Sequence, residues 1–305
     1  MSRRTKPGNR RDVAAAVMVL VGVLTVSGCG ASSTTSPAAT TSPGGQAASA
    51  GTGPVAAGSE WGHVHNLTLD GDRLLLGTHE GLWQQSPGQP AQLLSDPPFD
   101  VMGFALSGQQ MLASGHPGEG QDLHADLGLR QSTDGGTTWT GVSLEGQVDF
   151  HRLRSAGAVV LGLSAHDGRL LRSTDRGRTW TDLGTPPLFD LALDPANADH
   201  VVGTTEQGPV VSTDGGATFT PITGAPLLAL LAWTAKVLYG VAPDGVVHTS
   251  TDGGSTWQVT GNVPGQPAAL AADAGRVVVL AGDTIVESTD GGATFTPRIT
   301  EIAGH

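Results

Sequence analysis

Short apolar runs recur along residues 61–300, and each is bounded by a turn rich in Gly, Asp or Pro. Residues 158–164 precede the polar loop 165–168, and residues 236–241 precede the loop 242–245. Apolar runs of this length between turn residues are typical of β-strands, whereas a helix needs a longer periodic segment. The pattern therefore predicts many short strands with no room for helices.

One octapeptide, Ser-Thr-Asp-x-Gly-x-Thr followed by Trp or Phe, punctuates these strands. Its five copies begin at Ser132, Ser173, Ser212, Ser250 and Ser288, a period of 38 to 41 residues. The Asp-Gly-Gly centre of most copies predicts a tight turn, because Asp accepts bonds from nearby backbone N–H groups and Gly adopts positive φ. The ring at the end of each copy is predicted to pack against the neighbouring repeat.

Each period contains four predicted strands, which matches one blade of a β-propeller. A further unit without the octapeptide occupies residues 61–94. The sequence thus predicts an all-β, six-bladed propeller of four-stranded antiparallel blades within residues 59–305. A seventh blade, formed jointly by the two termini, is the alternative.

The octapeptide resembles the Asp-box, also called the BNR repeat. This resemblance implies a propeller and assigns a structural role in the turns to Asp134, Asp175, Asp214, Asp252 and Asp290. Asp-boxes occur in sialidases, sorting receptors and photosystem assembly factors, so the resemblance carries architecture and not activity.

The first residues predict export and anchoring. A leader with Arg3, Arg4, Lys6, Arg10 and Arg11 precedes the apolar run 13–26, which suits a signal peptide better than a membrane span. Residues 26–29, Val-Ser-Gly-Cys, resemble a bacterial lipobox, which implies a signal peptide over 1–28 and acylation of Cys29. A chance cysteine in an ordinary signal peptide is the alternative, and the export route, general or twin-arginine, stays open.

Residues 29–58 are almost entirely Ala, Ser, Thr, Gly and Pro and predict a disordered linker. The expected location is the outer face of a bacterial cell membrane, with the lipid on Cys29 as the membrane contact. Without the leader's five basic residues and Asp12, 11 of 16 basic and 27 of 28 acidic residues remain, a net charge of −16. This charge excludes a nucleic-acid partner. We expect a monomer.

Histidines are concentrated in the first half of the propeller, and alignment of the blades brings several of them to one mouth of the central channel. Imidazoles and carboxylates suit a zinc site, and a methionine thioether among the ligands would favour copper instead. Packing between blades, ordinary hydrogen bonding in the channel and a small-ligand role are the alternatives. The candidate metal or ligand residues are His63, His65, His79, His116, His151, Asp100, Met102 and Asp149.

The segments around these histidines also look like those of prokaryotic lipoproteins labelled glycosyl hydrolase or exo-sialidase. A sialidase requires a tyrosine nucleophile and three arginines, but the only tyrosine, Tyr239, lies in an apolar strand that predicts a core position. We therefore favour a binding or assembly module that takes a metal, a protein segment or a glycan at the channel mouth. A glycoside hydrolase that uses Asp100 and Asp149 is the alternative.

Overall fold

The computed structural model describes residues 55–56 and 61–302. These residues form 25 β-strands and no helix, so the described part of the chain holds no helix that could span a membrane. Apart from Val55–Ala56, the predicted signal peptide and linker, with Cys29, lie outside the described residues.

Six antiparallel sheets, each built from four consecutive strands, form the blades. The strands are β2 (Val64–Asp70), β3 (Arg73–Thr78), β4 (Gly81–Gln85) and β5 (Gln92–Leu93) in blade 1; β6 (Asp100–Ser107), β7 (Gln110–His116), β8 (Leu129–Ser132) and β9 (Thr140–Ser143) in blade 2; β10 (Phe150–Ala156), β11 (Val159–Ser164), β12 (Leu170–Ser173) and β13 (Thr181–Asp182) in blade 3; β14 (Asp190–Asp194), β15 (Asn197–Thr205), β16 (Gly208–Ser212) and β17 (Thr220–Pro221) in blade 4; β18 (Leu230–Trp233), β19 (Leu238–Val241), β20 (Val246–Ser250) and β21 (Gln258–Asn262) in blade 5; and β22 (Pro267–Asp273), β23 (Arg276–Ala281), β24 (Thr284–Ser288) and β25 (Thr296–Thr300) in blade 6.

The first strand of each blade contacts the first strand of the next, and β22 of blade 6 contacts β2 of blade 1, so the ring closes. The predicted six-bladed propeller is confirmed. One further strand, β1 (Val55–Ala56), pairs in parallel with β25, with Val55 opposite Ile299. The prediction of a disordered linker through residue 58 is therefore wrong at these two residues, because the outer edge of blade 6 offers unpaired backbone groups to them.

The core consists of six apolar clusters, each between two neighbouring blades. The ring at the end of each octapeptide packs into the cluster shared with the preceding blade; Trp139, for example, contacts Phe99 with ring centroids 5.5 Å apart. In blade 1, which lacks the octapeptide, Trp61 and Trp83 fill the cluster shared with blade 6. The predicted packing of the aromatic rings is confirmed.

The octapeptides share one hydrogen-bond pattern. In the first copy, Ser132 Oγ donates to Asp134 Oδ1 (2.8 Å) and accepts from the N–H of Gly136 (2.9 Å). The Asp134 carboxylate accepts from the hydroxyl of Thr138 (2.6 Å) and from its backbone N–H (2.9 Å). These bonds, that from the Thr138 hydroxyl first, lower the pKa of Asp134 to about 2. Each turn is thus closed by its own Ser, Asp and Thr side chains.

Arg176 occupies the left-handed position that glycine holds in the other four copies. Its φ is 60°, against 76° for Gly135 at the same position of the first copy. A side chain in this left-handed region lowers the stability of the folded state by about 1–2 kcal/mol. Glycine avoids this strain, but the greater conformational freedom of glycine in the unfolded chain offsets part of the gain. We expect Arg176→Gly to raise the free energy of unfolding by about 1 kcal/mol, measured by urea denaturation. Gly135→Arg should produce the opposite change, and a destabilised Arg176→Gly protein would contradict this interpretation.

Candidate functional site

The candidate residues gather at the rim of the ring opposite the octapeptide turns. Asp100, the first residue of β6, pairs with His116, the last residue of β7. Ser132, which opens the first octapeptide, pairs with Met111 at the other end of β7. The starts of the innermost strands and the loops between second and third strands therefore share one face, and the octapeptide turns lie on the other.

β-bulges direct a column of side chains into the mouth of the channel. The pairing of the innermost strand shifts by one residue around His65 in blade 1, Met102 in blade 2, His151 in blade 3 and Ala268 in blade 6. A bulged residue has no partner on the adjacent strand, so its side chain is re-aimed. All four line one cavity of about 600 Å³, together with His63, Val64, His79 and Arg152.

His65, His79 and Asp100 form the tightest group at this mouth. His65 Nε2 lies 3.3 Å from His79 Nδ1 and 3.3 Å from Asp100 Oδ1, and His79 Nδ1 lies 3.0 Å from Asp100 Oδ2. Three ligand atoms from three places in the sequence thus meet across the junction of blades 1 and 2. The side chains of His65 and Asp100 are largely buried, whereas that of His79 is 49 % exposed, which leaves one side of the group open.

Hydrogen bonds alone do not satisfy the three side chains. A ring nitrogen carries either a proton or a lone pair, so His79 Nδ1 cannot accept from His65 and donate to Asp100 at once. Asp100 Oδ1 is buried and makes no hydrogen bond within the described part of the chain, although His65 Nε2 lies 3.3 Å away. Such an orphaned oxygen beside two imidazoles is the arrangement that a bound cation would satisfy.

The protonation states suit a cation. Burial lowers the pKa of His65 below its usual value, more than the contact with Asp100 raises it. Burial alone would raise the pKa of Asp100, but its contacts with His65 and His79 outweigh that effect and lower it. A neutral imidazole and an ionised carboxylate are the forms that bind metals.

A side-chain bond between blades holds the group together. Asn66, next to His65 on β2, donates from Nδ2 to the carbonyls of Met102 (3.0 Å) and Val101 (3.3 Å) on β6. This contact fixes the strand that bears His65 against the strand that bears Asp100. His63 completes the group, with its ring centroid 4.9 Å from that of His65.

A second group surrounds Asp149, which is 1 % exposed. Asp149 Oδ2 lies 2.8 Å from His151 Nε2 and 3.4 Å from His116 Nε2, and Asp149 Oδ1 is buried without a hydrogen bond among the described residues. His116 contacts a further carboxylate, Asp126, which also lies 3.3 Å from His166. The predicted residues are thus divided between two groups, and His151 and Met102 line the same mouth as His65 and His79.

Asp126 and His166 were not predicted. The signal for His166 was present, because it lies in the loop between the second and third strands of its blade, as His79 does in blade 1. Asp126 stands in the long connection between β7 and β8, which has no counterpart in the other blades, so alignment of the repeats gave no sign of it.

Among the described residues that line this mouth there is no tyrosine and a single arginine, Arg152, whereas a sialidase would need a tyrosine and three arginines. Tyr239 is 3 % exposed and packs in the cluster between blades 5 and 6, and burial raises its pKa. Arg172 binds Asp199 (2.7 Å) beside an octapeptide, and Arg154 binds Asp190 (2.7 Å) in the channel. The predicted core position of Tyr239 is confirmed.

Comparison with known proteins gives architecture. No family model and no curated protein matches the sequence. The chain is a six-bladed β-propeller. It is similar to the GH74 xyloglucanase of Xanthomonas campestris (18 % identity, TM-score 0.56, 80 % of this chain and 46 % of that one), to YCF48 bound to a D1 peptide (16 %, 0.50, 80 % and 86 %) and to the WD40 propeller of Doa1 (10 %, 0.56, 80 % and 84 %).

The chain spans less than half the length of the xyloglucanase, and the three neighbours are an enzyme, a protein bound to a peptide and a WD40 propeller domain. Likeness at these identities therefore carries the propeller fold alone, and function has to be argued from the site.

Proposed function

We propose that this propeller is a lipid-anchored Asp-box protein that captures a transition-metal ion outside the cell, with His65, His79 and Asp100 as the ligands. The observation that carries the proposal is that His65 Nε2 lies 3.3 Å from both His79 Nδ1 and Asp100 Oδ1, a buried oxygen without a hydrogen bond among the described residues, while His79 Nδ1 lies 3.0 Å from Asp100 Oδ2. Ligands bonded at about 2.0–2.1 Å to a tetrahedral ion lie about 3.3–3.4 Å apart. The group therefore needs only small adjustments to bind an ion.

Zinc fits this donor set best. Two imidazoles and one carboxylate with an open side match zinc sites that keep a coordination position for another ligand. Met102 lines the same cavity, and its thioether would favour copper if it joined the set. Binding of a protein segment at the mouth remains a prediction, since a propeller rim also suits peptides.

A titration of the purified, metal-free protein with Zn²⁺ and Cu²⁺ tests the proposal. Isothermal calorimetry should show one saturable high-affinity site per chain, with zinc release on addition of a strong chelator. Circular dichroism before and after metal addition should be unchanged, because the propeller core does not depend on the ion. Absence of saturable binding of either ion would refute the proposed function.

The glycoside hydrolase alternative has less support at this mouth. Asp100 lies against His65 and His79, and Asp149 lies against His116 and His151, so both carboxylates have close imidazole contacts. Although burial raises the pKa of Asp100, its contacts with His65 and His79 lower it overall, whereas protonation of a glycosidic oxygen requires a carboxyl group that holds its proton.

Anchoring through Cys29 has its own test. A cysteine-linked lipid with two or more acyl chains keeps a protein on the membrane, whereas the acidic propeller has no attraction for anionic lipid. We expect Cys29→Ser to move the protein from the membrane fraction to the soluble fraction of fractionated cells. Ser27→Ala, which changes a neighbouring small residue and keeps the cysteine, is the matched control and should stay membrane-bound. Membrane retention of the Cys29→Ser protein would contradict acylation at this residue.

A further inference from the structure

The mouth of the channel holds a guanidinium beside its imidazoles in a protein that is otherwise acidic. His63, His65, His79, His151 and Arg152 line the cavity of about 600 Å³, and the carboxylates of Asp100 and Asp149 contact these imidazoles from behind the described lining. The whole chain carries a net charge of −12. The permanent charge among these lining residues is therefore the positive one of Arg152, because a guanidinium does not lose its proton in proteins.

Arg152 has a weaker ion pair than Arg154, its neighbour on the same strand. Its neighbour on β10, Arg154, donates to Asp190 Oδ1 at 2.7 Å, and Asp190 Oδ2 accepts from the backbone N–H of Leu231 at 2.9 Å. Arg152 Nε lies 3.4 Å from the same Asp190 Oδ1, and its Nη1 donates to the carbonyl of His151 at 3.3 Å. Two guanidinium groups thus share one carboxylate whose oxygens already have better partners.

Arg152 also stands where two cavities meet. Together with His65 and His151 it lines both the mouth and the central channel, which is a cavity of about 360 Å³ with both polar and apolar walls. A single metal ion would occupy a small part of this space. The volume suits a small organic molecule with an anionic end at the arginine and an apolar or polar body in the channel.

We infer that the mouth binds a small carboxylate chelator, such as an α-hydroxy or α-amino acid, whose carboxylate pairs with Arg152 while the same ligand completes the coordination of the metal. A planar guanidinium binds carboxylates through paired N–H donors, which an ammonium group cannot reproduce. The metal part of this inference rests on the proposed function. The pairing with Arg152 does not, because it follows from the lining of the cavity.

Calorimetry with citrate as the probe tests the two parts separately. Citrate should bind the metal-free protein, and Arg152→Gln should weaken this binding by at least about tenfold, since a charge-assisted pair is lost. Arg152→Lys should recover only part of the affinity. Arg172→Gln, which removes an arginine beside an octapeptide on the opposite face, is the matched control and should bind citrate as the wild type does. Thermal unfolding checks that each variant is folded.

The zinc-loaded protein completes the experiment. Citrate should bind it more tightly than the metal-free protein, and Arg152→Gln should retain wild-type affinity for zinc when citrate is absent. Equal citrate affinity of wild type and Arg152→Gln overturns the inference. Citrate that strips zinc without forming a complex with the loaded protein overturns the shared coordination. If the wild type takes up no zinc, the proposed function fails, and citrate binding that depends on Arg152 would still support the anion pocket.

Discussion

Replacement of Asp100 by Asn should reduce the affinity for zinc by about 100-fold or more. The substitution keeps the shape of the side chain but removes the negative charge that two imidazoles face at 3.0 and 3.3 Å. Even residues that only orient metal ligands change affinity by about 10- to 100-fold, so loss of a charged ligand should reach at least the upper end of that range. The double variant His65→Ala with His79→Ala should show no saturable binding by calorimetry.

The chain offers a matched control on another part of the propeller. His200 lies 3.8 Å from Asp194 and packs its ring against Trp233, without a third ligand within the described residues. Asp194→Asn and His200→Ala should therefore leave zinc affinity unchanged. If Asp100→Asn binds zinc as the wild type does while its fold is intact, the ligand assignment is wrong. If His200→Ala loses binding, the ion sits elsewhere.

The fold could be predicted from the sequence because the residues of each repeat determine both a turn and a contact between blades. An Asp-Gly turn followed by an aromatic residue fixes a hairpin and a ring between blades, and five copies at an even spacing together with the unit at residues 61–94 predicted six blades. Even the departure at Arg176 keeps the left-handed backbone of the other copies. The exception was Val55–Ala56, which joins blade 6 through backbone pairing that composition does not encode.

The candidate site was predicted as a set but not as a geometry. Alignment of the blades placed His65, Met102 and His151 in one column, and the structure brings all three to the same mouth. The alignment could not show that each of these residues is the extra residue of a β-bulge, because a bulge depends on pairing with the adjacent strand. The alignment also could not show that Asp100 contacts His65 and His79 rather than His116. Which histidines Asp100 contacts depends on how neighbouring blades pack, for example through the hydrogen bonds of Asn66.

Closure of the ring between blades 6 and 1 depends more on contacts between side chains than on backbone hydrogen bonds between strands. Every blade is built from consecutive strands, so within the described residues only the parallel pairing of β1 with β25 carries sheet hydrogen bonds between the N-terminal part of the chain and blade 6. Arg298 on β25 is 7 % exposed and reaches blade 1, where it donates to Gln85 Oε1 (2.7 Å) and to the carbonyls of Gln85 (3.0 Å) and Asp72 (3.2 Å). The same guanidinium pairs with Glu287 at 3.2 Å.

Arg298→Met should therefore lower the free energy of unfolding by about 3–5 kcal/mol, the usual cost of removing one partner from a buried ion pair. Methionine keeps the volume of the stem but leaves Gln85 without its donor, while Glu287 keeps only Arg276 (2.7 Å) among the described residues. For a domain of this size the melting temperature should fall by about 10 °C, measured by calorimetry. Arg73→Met is the control, because the pair of Arg73 with Asp70 is partly exposed and such pairs contribute about 1 kcal/mol or less. Equal stability of the two variants would show that the apolar cluster between blades 6 and 1 closes the ring without Arg298.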